Sequence, residues 1–193
     1  MKEFRIAAIE TEERSEGLAK PERMLIGKPI VFDKITEITD KNGSYKEVIS
    51  RGALDGCDLS DVKLFYGHDV TKVPLAKTPK TMALEVTPAG LQMRASLADT
   101  ESAKEVYEAV KRGDLNGMSF AFKVEPGCDS YDARTNTRTI NKISKVLEVS
   151  VVPFPAYSQT SVEARSAMDT SIERFNKIKA AKILINQIVK VEF

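Results

Sequence analysis

Short apolar runs bounded by turn-forming residues dominate the first half of the chain. They read RMLIGKPIVF, SYKEVIS, VKLFY, MALEV and LQMRASL, with Gly, Pro, Asp or Asn between them. The Asn42-Gly43 pair and the Pro and Gly of VTPAGLQM are typical of tight turns between paired strands. Many short strands at this spacing predict a mainly β fold, either a barrel or a sandwich.

One helix interrupts the strands, in DTESAKEVYEAVKRGD. Its apolar residues recur at intervals of three and four, which predicts one buried face: Ala103, Val106, Tyr107 and Val110. Ser102 and Glu105 have the spacing of a capping box, and Asp99 and Thr100 are alternative caps. Gly113 follows two basic residues and is a natural end to the helix.

Two later segments alternate in the manner of strands. In GMSFAFKV, Met118, Phe120, Phe122 and Val124 point one way, and Ser119, Ala121 and Lys123 point the other. In KVLEVSVVPF, Leu147, Val149 and Val151 share one face, and Glu148 and Ser150 share the other. The pattern therefore predicts that Ser119 and Glu148 lie outside the core, in a surface groove.

The two ends differ from this pattern. Residues 1–23 are polar and charged, and we expect a flexible segment there. The β domain is predicted over residues 24–162. Residues 163–193 contain apolar positions near helical spacing among many charges, and no Gly or Pro, which predicts a helical C-terminal tail. The tail is interpreted equally well as a docking segment or as a plain packing helix.

Composition argues against several classes of function. The 193 residues carry a net charge of +1, so no strong field attracts nucleic acid or an anionic membrane. There is no apolar run of about 18 residues and no apolar signal core, which predicts a cytoplasmic protein. Two cysteines and one histidine cannot supply a structural zinc site, and no cofactor is expected.

The single histidine, His68 in LFYGHDV, is the chain's one imidazole that could act as a general base. A serine nucleophile needs such a base, a group that orients the base, and donors for the oxyanion. Ser119 follows a Gly-containing turn beside the small Ala121, and Glu148 is a carboxylate among apolar neighbours. Asp69 is an alternative orienting group, but adjacent residues in an extended segment point apart.

Each of these residues also has a simpler interpretation when it is taken alone. A histidine beside an aspartate is more often an ordinary turn residue, so His68 by itself indicates little. Ser119 is by default a small strand residue, and Glu148 is by default the solvent side of an edge strand. Spacing alone therefore does not establish a catalytic triad.

Four segments, in one order between about residue 24 and residue 162, resemble the prohead proteases of tailed bacteriophages. They are VISRGALD, FYGHD, the block VTPAGLQMRASLADTESAKEVYEAVKRGDLNGMSFAFKV, and KVLEVSVVPFPAYSQTSV. The resemblance is specific because several independent motifs occur in the same order. The chain departs from the family after the histidine, where Ala76 and Lys77 replace a Gly and an Arg that the family often has.

The resemblance implies a fold like the herpesvirus capsid protease, a β-barrel flanked by helices, with the site on its outer face. By motif position, His68 corresponds to the general base and Ser119 to the nucleophile. Glu148 corresponds to the third member, where herpesvirus enzymes use a second histidine that this chain lacks.

The family also implies a role. We expect a serine endopeptidase that cleaves the scaffold protein, the major capsid protein and itself, inside the assembling prohead in the host cytoplasm. A homo-oligomer is expected as well, because a short helix with an apolar face outside a barrel requires a partner.

Two other functions are alternatives to the protease. One is an inactive protease-like domain that organises scaffold during assembly, which the complete His, Ser and Glu set argues against. The other is a barrel that binds single-stranded nucleic acid. That function requires a basic groove with interleaved aromatic side chains, whereas this chain has no Trp and a balanced charge.

Overall fold

The computed structural model of the protein describes residues 3–14, 22–40 and 43–153. This part of the chain contains twelve strands and one helix. In chain order they are β1 (Glu3–Arg14), β2 (Glu22–Val31), β3 (Thr36–Asp40), β4 (Gly43–Ile49), β5 (Lys63–Tyr66), β6 (Ala76–Lys77), β7 (Met82–Thr87), β8 (Gly90–Ser96), α1 (Glu101–Arg112), β9 (Gly117–Lys123), β10 (Asp129–Asp132), β11 (Thr137–Ile140) and β12 (Lys145–Val152).

The strands form two sheets. The larger has the order β6-β5-β12-β9-β1-β2-β8-β7, and the smaller has the order β10-β11-β4-β3. Most neighbours are antiparallel, but β5 runs parallel to β12 and β4 runs parallel to β11. Apolar side chains from both sheets and from α1 contribute to one hydrophobic core.

The predicted barrel is not found, although the mainly β class is correct. Within the described residues the larger sheet ends at β6 on one side and at β7 on the other, so its hydrogen bonding does not close. β6 is only two residues long and pairs with β5 alone. Strand spacing predicted short paired strands, but it carries no information on whether the first and last strands meet.

The N-terminal segment was expected to be flexible, yet residues 3–14 form β1. This strand pairs with β9 through its first half and with β2 through its second half. It therefore lies near the centre of the larger sheet, within the span 1–23 that the sequence placed outside the domain. The charged residues of β1 give no clean apolar alternation, so the sequence pattern does not indicate a strand. Backbone pairing to β9 and β2 holds β1 in place.

The helix and its buried face agree with the sequence, but the cap is the alternative Thr100 and not the capping box of Ser102 and Glu105. α1 buries the four predicted side chains, Ala103, Val106, Tyr107 and Val110. Its N-cap is Thr100, whose side chain accepts a hydrogen bond from Ala103 N, and Gly113 ends it in the left-handed conformation. Because the apolar face of α1 is buried within this chain, against β1 and β2, it gives no reason to expect a homo-oligomer.

The predicted VTPAGLQM hairpin joins β7 to β8, with Thr87 opposite Gly90. Gly90 has a φ of 141°, and a Cβ there would lie 2.0 Å from the carbonyl oxygen of Ile30. Only glycine fits such a close approach. The charged segment GCDSYDARTNTRT, for which the apolar pattern predicts no strand, contains the hairpin of β10 and β11.

The predicted helical tail, residues 163–193, lies outside the described residues, as does the end of the predicted β domain from residue 154. Among the residues that the structure describes, no helix is long and apolar enough to cross a membrane.

Candidate active site

The site lies on two neighbouring strands in the middle of the larger sheet. β12 and β9 are antiparallel, with Ser150 directly opposite Ser119 and Glu148 opposite Ala121. Residues that face each other across a ladder point to the same side of the sheet. The register shifts at Leu147, between Val146 and Glu148, in the manner of a β-bulge. Ser119, Glu148 and Ser150 therefore share one face.

His68 reaches this face from the strand on the other side of β12. Ser150 pairs with Phe65 of β5, and the chain turns directly after β5 ends. Gly67 and His68 both have a φ of 62°, in the left-handed region. Gly67 N donates to Val151 O at 2.9 Å, which ties the turn to β12. A histidine in this conformation costs on the order of 1 kcal/mol, and such strain is concentrated at functional sites.

The imidazole contacts the carboxylate. His68 Nδ1 lies 2.7 Å from Glu148 Oε1, and Ser150 Oγ donates to Glu148 Oε2 at 2.5 Å. The Glu148 side chain thus runs along its strand towards Ser150, so that the carboxylate lies beside the Ser119–Ser150 pair. His68 is partly exposed, with 22% of its side chain accessible, whereas Glu148 is 2% exposed.

This contact fixes the histidine tautomer. A carboxylate can only accept, so Nδ1 must carry the hydrogen that Glu148 receives. In the neutral ring, Nε2 is then the nitrogen that can take a proton from a nucleophile.

Ser119 is fully buried, with 0% exposure. Among the described residues, its hydroxyl is the one buried side-chain oxygen or nitrogen without a hydrogen-bond partner. The neighbouring strands of a sheet are about 4.8 Å apart, so Ser119 lies one strand from Ser150 and from the carboxylate head of Glu148. The structure therefore brings Ser119 close to the His68–Glu148 pair without joining it to that pair.

The predicted surface groove is wrong for this state of the molecule. Every residue of β9 from Gly117 to Phe122 is buried, including Ser119 and Ala121 on the face expected to be open. Alternation correctly indicated that Glu148 and Ser150 share a face. The register shift at Leu147, however, puts Val146, and not Leu147, in the core with Val149 and Val151. Alternation could not indicate that both faces are covered, because that depends on what the rest of the chain places above each face.

The alternative orienting group, Asp69, is used elsewhere. Its Oδ1 accepts from Thr71 N at 3.1 Å and from Thr71 Oγ1 at 2.5 Å. These hydrogen bonds to Thr71 hold the pKa of the Asp69 carboxyl below its usual value. Asp69 therefore stabilises the turn after His68, and Glu148 is the carboxylate that contacts the imidazole.

Sequence reasoning missed Ser150 as a member of the site. The signal was present, because Ser150 stands two residues after Glu148 and was predicted on the same face. A serine flanked by valines in a buried strand must find a hydrogen-bond partner. Here that partner is the Glu148 carboxylate.

Three exposed apolar side chains surround His68 in the sequence: Tyr66, Val70 and Val73. Val73 is the most exposed of the large apolar residues that the structure describes. The end of β5 and the loop after it therefore present an imidazole and apolar side chains together, which suits contact with a polypeptide. In the described part of the chain, no cluster of His, Cys, Asp or Glu could hold a metal ion.

The comparison with protein families agrees with the resemblance seen in the sequence. The family model described as caudovirus prohead serine protease matches residues 9–178. The chain therefore belongs to this family. No curated protein sequence matches the chain. The solved structure of the bacteriophage T4 capsid assembly protease, gp21, is similar over 79% of this chain and 99% of its own, at 12% identity and a TM-score of 0.44.

Proposed function

We propose that this chain is a serine endopeptidase of the phage prohead, with Ser119 as nucleophile, His68 as general base and Glu148 as the group that orients the base. The observation that carries the proposal is the 2.7 Å contact between His68 Nδ1 and Glu148 Oε1, on the sheet face that also holds Ser119. Membership of a serine protease family supports it independently.

The reaction is acyl transfer from a peptide to water. His68 Nε2 takes the Ser119 proton while Oγ attacks the peptide carbonyl, and the protonated imidazole then gives that proton to the leaving amine. Water next attacks the acyl-enzyme with His68 again acting as base, which releases the carboxylic acid and restores Ser119. Glu148 stabilises the imidazolium in both steps.

The substrates we propose are the scaffold protein, the major capsid protein and the protease itself. Cleavage takes place inside the assembling prohead in the host cytoplasm. The exposed apolar side chains of Tyr66, Val70 and Val73 next to His68 are suited to hold an extended substrate segment. Contact with that segment also requires Ser119 to become accessible, since it is buried in the structure described above.

One observation favours a second candidate function. Ser119 Oγ is buried and has no hydrogen-bond partner among residues 3–14, 22–40 and 43–153, so His68 and Ser119 are not hydrogen-bonded to each other. An inactive protease-like domain that organises scaffold would have this arrangement permanently. A protease would have it only until its substrate or the prohead opens the site.

Co-expression of the chain with its cognate scaffold and capsid proteins, followed by intact-mass spectrometry, separates the two functions. The variants are wild type, Ser119→Ala and the control Ser144→Ala. Ser144 Oγ lies 3.2 Å from Glu125 Oε1, a serine–carboxylate contact at a partly exposed position away from the site. Shortened products with wild type and Ser144→Ala but not Ser119→Ala support the protease. Full-length masses in all three, in assembled particles, support the scaffold-organising domain.

A further inference from the structure

The two oxygens of Glu148 have different partners. Oε1 contacts His68 Nδ1 at 2.7 Å, and Oε2 accepts from Ser150 Oγ at 2.5 Å. We propose that Ser150 is a positioning residue, which holds the Glu148 carboxylate in the orientation that fixes the His68 tautomer. This inference rests on the proposed function, in which His68 is the base.

A carboxylate without such a donor would be poorly oriented. Rotation about the last torsion of a glutamate is broad and roughly two-fold. The Glu148 side chain by itself therefore does not fix the plane of its carboxylate relative to the His68 ring. A hydrogen bond to an ionised oxygen is about twice as strong as one between neutral groups. The Ser150 hydroxyl therefore selects one orientation, with Oε1 directed at the imidazole.

The position of Ser150 suits this role better than a packing role. It is fully buried in β12 between Val149 and Val151, where an apolar side chain would be the usual choice. It also lies opposite Ser119 on β9. A buried hydroxyl is unfavourable unless it is hydrogen-bonded, and the Glu148 carboxylate supplies that bond.

The strand geometry makes the contact rigid. Glu148 and Ser150 are two residues apart on the regular part of β12, after the bulge at Leu147. Side chains two apart on a strand lie on the same face. β12 is hydrogen-bonded on both sides, to β5 and to β9. The backbone distance between Glu148 and Ser150 therefore cannot vary much.

The kinetic test compares Ser150→Ala with Ser150→Thr, which keeps the hydroxyl, and with the control Ser144→Ala. The substrate is a peptide spanning a cleavage site mapped in the co-expression experiment. We expect kcat for Ser150→Ala to fall by about tenfold to a hundredfold with KM unchanged, because a misplaced base loses this much. Ser150→Thr should recover most of the rate, and Ser144→Ala should match wild type. Ser150→Cys, of similar size with a weak donor, replaces the alanine variant if that variant does not fold.

The tautomer test does not depend on activity. Because the chain has one histidine, a ¹⁵N spectrum of its ring nitrogens reports on His68 alone. The measurement uses the full chain with Ser119→Ala, which prevents self-cleavage. We expect hydrogen on Nδ1 in this chain, a mixture of tautomers when Ser150→Ala is added, and a single tautomer again with Ser150→Thr.

An unchanged tautomer in the Ser150→Ala chain, or an unchanged cleavage rate, overturns the inference. Failure of the proposed function looks different, since no variant, wild type included, would then cleave. The ring-nitrogen spectra still decide in that case whether Ser150 positions His68 through Glu148.

Discussion

The structure contains two buried polar clusters, one in each sheet, and their hydrogen bonding differs. In the smaller sheet, Arg138 Nε lies 2.9 Å from Asp129 Oδ2 and Arg138 Nη1 lies 3.2 Å from Glu47 Oε2. In the larger sheet, Glu148 contacts His68 and Ser150, while the Ser119 hydroxyl beside them has no hydrogen-bond partner within the described part of the chain. Glu47 and Glu148 are equally buried, each 2% exposed.

This difference in hydrogen bonding distinguishes a cluster that stabilises the fold from the cluster for which we propose a catalytic role. In the smaller sheet a guanidinium bridges two carboxylates, as expected for buried charges that serve the fold. In the larger sheet a carboxylate contacts an ionisable ring next to a hydroxyl that has no hydrogen-bond partner among the described residues. A buried hydroxyl without a partner is unfavourable for folding, so its presence needs another explanation. The nucleophilic role that we propose for Ser119 would supply that explanation.

The largest expected effect comes from Ser119→Ala. Proteolysis should fall by more than about a thousandfold, because the nucleophile is lost. Thermal stability should stay the same or rise slightly, since an unsatisfied buried hydroxyl is removed. Both are measured on the same preparation, by product masses and by thermal unfolding. Retained cleavage together with a lowered Tm would show that Ser119 stabilises the fold and is not the nucleophile.

Replacing one buried glutamate of each cluster by glutamine tests the difference between the two clusters. Glu148→Gln should reduce kcat/KM by about a hundredfold to ten-thousandfold, because an amide no longer favours the Nδ1–H tautomer. Glu47→Gln removes a charge of equal burial from the other cluster and should leave kcat/KM of the folded enzyme unchanged. Equal losses of activity in the two variants would contradict the distinction.

The structural cluster is broken by Arg138→Met. The variant leaves the buried Glu47 carboxylate and the partly buried Asp129 carboxylate without their shared cation. We expect a loss of about 3–5 kcal/mol in the free energy of unfolding, measured by urea titration at neutral pH. Cleavage by the fraction that remains folded should be normal. A stability close to wild type would show that the guanidinium is not required there.

The smallest effect is expected at a partly exposed pair, Lys145 Nζ and Asp58 Oδ2, which are 2.6 Å apart. Hydrogen bonds from Lys145 and then Ser60 hold the pKa of Asp58 well below its usual value. A lowered pKa in the folded state gives stability that is present near neutral pH and is lost as the pH falls through the folded value.

Lys145→Met should therefore lower Tm slightly at neutral pH, and its difference from wild type should shrink in strong acid. Thermal unfolding of both proteins across the acid range measures this difference. A gap that widens as the pH falls would contradict the assigned role of the pair.

The sequence predicted the features that depend on neighbouring residues. α1 was predicted from its caps and its apolar period, and the β7–β8 hairpin from its Pro and Gly. β1 was missed because it has no clean alternation and forms by pairing with β9 and β2. β10 and β11 were missed for a similar reason, since polar residues form a hairpin there whose second strand pairs with β4.

In the candidate site, too, the sequence predicted local geometry but not burial by distant parts of the chain. That a distant carboxylate rather than Asp69 would face His68 was argued from strand geometry, and Glu148 lies at that contact. Alternation also placed Ser119, Glu148 and Ser150 on one side of their strands. The burial of Ser119 could not be predicted, because it depends on how the whole sheet is covered.

The most direct test of the central claim is covalent labelling of the nucleophile. Proheads assembled with the full-length protease are treated with a fluorophosphonate probe, and the modified peptide is identified by mass spectrometry. His68→Ala and Ser144→Ala proteases are treated in parallel. The account predicts a single adduct on Ser119 in wild type and Ser144→Ala, and none in His68→Ala. Cleavage-competent proheads whose adduct lies on another residue would contradict it.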